Sequence, residues 1–184
     1  MNWAVFAVAL WLALALRRGL EPLLAIPNAA TGVAPAFVLI LVVWVALQAP
    51  ALAALWAALV AGLILDALTT YYDGRGGLIG PHALGCLLGA YAVLQMRGMV
   101  FRQSGLTLAV MTFVAGIFSH LAIVALLALR AFPLSPADPV PGWDTSAELV
   151  ARFLQLLYTS AAAALLAILL RPTVSWWGFP SAKR

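Results

Sequence analysis

Six apolar runs, parted by short breaks into which almost every charge is swept, are what most limits the folds open to this chain. The runs cover about residues 2–16, 34–47, 51–68, 81–96, 106–129 and 149–170. Hydrocarbon excludes charge, so a chain that crosses a bilayer several times gathers its ionic residues at the ends of its spans. Only 9% of the residues are charged and 65% are hydrophobic, against about 25% charged in a soluble domain, and the mean hydropathy is +1.06. The expected fold is therefore an all-α integral membrane protein with six transmembrane helices, forming a single polytopic domain over 1–184. Six spans put both termini on the same side.

The breaks have the chemistry of loops. Trp3 to Leu16 has the length of a signal-peptide core, but no Lys or Arg precedes it and no small-residue cleavage pattern follows Arg17-Arg18, so it is read as the first membrane helix. Residues 17–32, with two prolines and several charges, form a predicted loop. Pro35 lies near the first turn of the second run, and Gln48-Ala49-Pro50 ends it so close to the third that the two form a tight hairpin. Thr69 to Gly77 is a short polar loop rimmed by Tyr71 and Tyr72, and Pro81 opens the fourth helix in the favoured first-turn position. Arg97 to Gly105 is basic without acids, and 130–147 is rich in proline.

The basic residues divide five against five between the two faces, a tie on the positive-inside rule, whereas all six acids fall on or near the face opposite the termini. The net charge of +4 comes from residues near the membrane surfaces and reads as topology and lipid contact, not as a nucleic-acid footprint. The single cysteine, Cys86, rules out an internal disulfide.

Asp66 is the one acid within a long apolar run, which makes it a functional candidate by default. It can be an ion site, a counter-ion to Arg75, a partner contact, or a structural corner bonded to the start of the next helix; its place at the end of the run favours the corner. His82 and Cys86 stand one turn apart, which is ligand spacing for a metal, but they lack enough further ligands, so no metal or other cofactor is expected. His120 beside Ser119 reads as an interhelical hydrogen-bond donor. The glycines of 73–77 lack the Lys-Ser/Thr of a phosphate loop, and no Gly-x-Ser-x-Gly or His-Glu-x-x-His occurs. Nothing argues for an enzyme. Ala58 and Gly62 on the third helix, and Gly85 and Gly89 on the fourth, lie four apart, giving small-residue faces that predict close packing of these helices on each other or on a partner.

Gly62-x-x-x-Asp66, then Leu78-Ile79-Gly80-Pro81-His82-Ala83-Leu84 and Gly89-Ala90-Tyr91, resemble the bacterial rod shape-determining MreD family. The likeness extends back through the proline-led run Ala34 to Trp44 and forward through the basic loop Arg97 to Arg102, covering about 34–130; the loop from Thr69 to Gly77 is longer than the family's usual turn. The resemblance implies a non-catalytic inner-membrane protein with cytoplasmic termini, a scaffold of the cell-wall elongation complex. Its implied partners are an MreC-like single-span protein and, more widely, the actin-like MreB with a glycosyltransferase and a transpeptidase. It also implies a fold similar to the substrate-binding subunits of vitamin (ECF-type) transporters, so the alternative function is a small-molecule transporter subunit. Gly62, Asp66, Gly80, Pro81, His82, Gly85 and Gly89 are the residues expected at the partner interface or structural corner.

Overall fold

A computed structural model describes residues 1–24, 33–69, 79–99, 104–130 and 144–179. Among the described residues six α-helices follow one another: α1 (Trp3–Leu24), α2 (Phe37–Gln48), α3 (Ala51–Leu68), α4 (Pro81–Met96), α5 (Gly105–Arg130) and α6 (Thr145–Leu170), with a 3-10 helix after them at Arg171–Trp177. Four of them, α1, α3, α5 and α6, are long and apolar enough to cross a membrane. The other two, α2 with 12 residues and α4 with 16, are shorter.

Three boundaries depart from the sequence reading; one is the start of the second helix, expected at 34 and found at Phe37, with Pro35 before the helix and not in its first turn. The predicted loop at 17–32 begins too early, because α1 runs on through Arg17 and Arg18 to Leu24. Charges mark where hydrocarbon ends, not where the backbone ladder ends, and Arg and Leu are both good helix formers. At the other end of the fold α6 starts at Thr145, four residues before the apolar run, because Asp144 caps it. The Asp144 carboxylate accepts from the Ser146 hydroxyl at 2.7 Å and the Ser146 N–H at 2.9 Å. These bonds, the hydroxyl's first, hold the carboxyl below its usual range, so the cap is present at neutral pH and is lost as pH falls through that lowered value. The tyrosines 71 and 72, the loop 73–77 with Arg75, and Arg102, Asp138, Lys183 and Arg184 lie outside the described residues.

The shortest helix sits at the centre. Every residue of α2 from Phe37 to Leu47 is buried, and α1, α3, α4, α5 and α6 all touch it. An all-apolar stretch without a polar face fits only where every side is covered, by protein or by lipid; here protein covers it. The residues leading into it, 33–36, are not helical, since Pro35 disfavours helical geometry at Ala34. Non-helical backbone is tolerated at membrane depth only where protein or a cavity satisfies it, and α6 does so here. Gln155 Nε2 donates to the Ala34 carbonyl at 3.0 Å, and the Ala36 N–H donates to Thr159 Oγ1 at 3.0 Å.

The turn between α2 and α3 is held from α4. Arg97, just past the end of α4, donates from Nη1 to the carbonyls of Ala49 at 2.6 Å and Ala46 at 3.2 Å. Hydrogen bonds from a charged donor are worth about 1.5–3 kcal/mol. Arg97→Met keeps the stem and removes both bonds, and is expected to cost about 1–3 kcal/mol, read as a lower thermal unfolding midpoint in detergent; an unchanged midpoint would mean that water or headgroups serve those carbonyls equally well. The chain's two ends meet at the opposite pole from the α3–α4 connection, where the Asn2 N–H donates to the Trp177 carbonyl at 2.8 Å and buried Trp177 stacks on Phe179.

Candidate functional site

Asp66 is fully buried, and its two carboxylate oxygens are occupied by the start of the next helix. Oδ2 accepts the N–H of Gly80 at 2.8 Å and of Ala83 at 3.1 Å; Oδ1 accepts the N–H of His82 at 2.9 Å and lies 3.0 Å from His82 Nδ1. An ionised carboxylate only accepts, so His82 Nδ1 carries the ring proton here. The first N–H groups of a helix have no partner within it. The N-cap of α4 is Gly80, which has no side chain to offer and sits at φ +134°, a conformation L side chains rarely adopt. Asp66 therefore caps α4 from the end of α3, with its negative charge at the positive end of the α4 dipole.

Close approach makes this possible. Gly62 lies one turn before Asp66, and a Cβ placed on it would come within 2.5 Å of Ala83 Cα, 2.6 Å of the His82 carbonyl oxygen and 2.8 Å of Ala83 N. The backbones of α3 and α4 touch there. The other small-residue pair faces elsewhere: a Cβ at Gly85 would meet Ser119 Oγ at 2.8 Å, and one at Gly89 the Ala115 carbonyl oxygen at 2.8 Å. Gly85 and Gly89 thus seat α5, not α3, and both faces are filled by helices of this chain.

Beside the corner lies a cavity of about 200 Å³, at the end of the bundle opposite Asn2 and Trp177. His82 and Cys86 of α4, Ser119 and His120 of α5, Glu148, Arg152 and Gln155 of α6 and Arg17 of α1 line it. Arg152 Nη2 pairs with Glu148 Oε1 at 2.7 Å, and both side chains are largely buried, at 13% and 15% exposure. Arg152 Nη1 lies 3.4 Å from His120 Nδ1. A guanidinium only donates, so His120 accepts there and its proton sits on Nε2; the expected donor role is reversed at that nitrogen. His120 Nε2 and Arg152 Nε are buried without a hydrogen-bond partner. Among the described residues no group of three or more His, Cys, Asp or Glu stands together to hold a metal.

The corner residues Gly62, Asp66, Gly80, Pro81 and His82 are brought together, whereas Gly85 and Gly89 lie along another contact. Arg17, Glu148, Arg152, Gln155 and Thr159 were not singled out by sequence reasoning. A signal for four of them was present: 148, 152, 155 and 159 recur at steps of four, three and four, which is one face of a helix.

The family model described as rod shape-determining protein MreD matches residues 3–136, so that the likeness takes in α1 as well as the central helices. No curated protein and no solved structure matches the chain, and nothing found supports the likeness to transporter subunits or the transporter alternative. With most of its length matched, and with several helices apolar and long enough to span a bilayer, the chain is a multi-pass membrane protein of the MreD family, whose role lies in determining rod shape.

Proposed function

We propose that this protein is a non-catalytic scaffold of the cell-wall elongation complex, set in the bacterial inner membrane with its termini in the cytoplasm. The family match over 3–136 carries the reading. The partners it would hold are an MreC-like single-span protein and, through the wider assembly, MreB and the glycosyltransferase–transpeptidase pair. With Gly62, Gly85 and Gly89 occupied inside the chain, a partner helix would meet the outward faces of α3 and α4. Trp56, Val60 and Leu63 on α3, and Leu84, Leu88 and Tyr91 on α4, are exposed at steps of four and three, the spacing of anchors along one helix face. The sequence of α4 from Pro81 to Tyr91 thereby divides into an inner face that packs and an outer face that is free to dock.

Depletion of the protein in its host tests the role. Cells are expected to round up and to lose lateral wall incorporation, with rescue by the wild-type gene; rods that keep their shape and their incorporation overturn it. A photo-crosslinking residue at Leu88 is expected to capture an MreC-like partner, and one at Leu165 on the outer side of α6 is expected not to. Capture equal at both positions contradicts the assignment to α4.

A further inference from the structure

The cavity between α1, α4, α5 and α6 holds more donor groups than the described residues use. Arg17 lines it, half-buried, and makes no hydrogen bond or ion pair with any described residue. The Arg152–Glu148 pair is internally balanced, which leaves the Arg17 charge in excess among the described residues. The unspent polar atoms in the wall are donors as well, namely Arg152 Nε and the protonated Nε2 of His120. Asp66 adds no free acceptor, because its oxygens are taken by Gly80, His82 and Ala83. A half-buried charge turned into a cavity at the edge of a membrane bundle is normally paired or put to use, and an unsatisfied buried donor costs on its own account.

We infer that the cavity is a binding site for a phosphoryl group, gripped between the guanidiniums of Arg17 and Arg152. The planar guanidinium fork suits phosphate oxygens, and a tetrahedral oxyanion can accept from donors on several sides at once. The size fits a compact occupant: about 200 Å³ exceeds what a single water needs and lies just under the roughly 300 Å³ at which drug-sized pockets begin. Two sources share this chemistry, the headgroup of an anionic phospholipid and a small free phosphomonoester. The site is for binding, and no transport step is implied. It stands on the cavity's own geometry and is independent of the scaffold reading.

The test uses the full chain in a phosphate-free maltoside detergent, stripped of lipid. Glycerol 3-phosphate is one probe and phosphatidylglycerol the other, with glycerol and sodium chloride at matched ionic strength as controls. At least one probe is expected to raise the thermal unfolding midpoint by several degrees while the controls do not. Arg17→Gln is expected to weaken that probe's binding at least tenfold, and, since Arg17 has no partner to lose among the described residues, to leave the ligand-free midpoint unchanged or higher. Arg17→Lys, which keeps the charge, is expected to retain part of the affinity. A shift with both probes assigns the site to phosphoryl groups generally, and a shift with the lipid alone assigns it to a headgroup entering from the bilayer. A wild-type protein indifferent to both probes overturns the inference whatever the variants do, as does an Arg17→Gln protein that binds as tightly as wild type.

Discussion

Gly62→Leu is expected to leave little or no folded protein in the membrane, and Gly62→Ala to fold with a lowered thermal midpoint. The added Cβ would fall within 2.5–2.8 Å of the Ala83 Cα, the His82 carbonyl oxygen and the Ala83 N, all of them backbone atoms of α4. A flexible side chain could swing aside, but a helix backbone cannot, so α3 and α4 must part. Overpacking a fitted core typically costs about 1–3 kcal/mol. Here the parting also draws Asp66, one turn on, away from the amides it caps, so Gly62→Ala should reach or pass the top of that range and the leucine should exceed it. Gly19 in α1 is the control: a Cβ there meets nothing within 4 Å, and Ala should be neutral or stabilising by up to about 1 kcal/mol. Thermal unfolding in detergent, followed by size-exclusion chromatography, ranks the three. Equal midpoints for Gly62→Ala and Gly19→Ala would mean that the helices are not in backbone contact.

Asp66→Ala is expected to cost roughly 3–5 kcal/mol, the range found when one member of a buried charged arrangement is removed. The alanine leaves the N–H groups of Gly80, His82 and Ala83 without their carboxylate acceptor, next to a His82 ring that has lost its bond to Oδ1. Asn separates charge from shape. It has one acceptor oxygen where Asp66 uses two, so whichever way the amide is turned, its NH₂ faces donors. If the oxygens matter chiefly as acceptors, Asn recovers part of the loss and stands between Asp and Ala. If the amide's clash with donors dominates, Asn is as damaging as Ala. The midpoints of the three proteins distinguish these, and an Ala variant as stable as wild type would remove the carboxylate from any part in holding α4.

Much of this arrangement is legible in the chain, and the reasons differ from residue to residue. Continuous apolar runs mark the helices because lipid and core alike demand apolar side chains over their whole length, and with their bounding prolines they place α3 and α4 to the residue. They misplace the end of α1, since Arg17 and Arg18 are compatible with both a loop and a helix that has left the hydrocarbon. Asp66 stands out because an acid in an apolar run is costly. What it bonds to depends on a tertiary approach that only Gly62 permits, and a small residue in a sequence does not say which neighbour it admits. Gly85 and Gly89 make the same point, since their spacing predicts a close contact but the contact is with α5. The cavity was hidden for another reason. Arg17, His82, His120 and Arg152 come from four helices; alone, the arginines read as surface charges, His82 as a residue at a helix start and His120 as an interhelical hydrogen-bond donor.

The enclosure of α2 also has a bearing on how the protein is made. During synthesis α2 is the second helix to leave the ribosome, well before α4, α5 and α6, which later cover it. Its side chains can wait in lipid, which is as apolar as the core that replaces it. The Ala34 carbonyl and the Ala36 N–H have no such refuge, because they need partners in hydrocarbon and those partners, Gln155 and Thr159, lie more than 120 residues downstream. Assembly therefore waits for α6: until that helix is inserted and slides into place, the centre of the protein has its side chains housed and its backbone still unfinished.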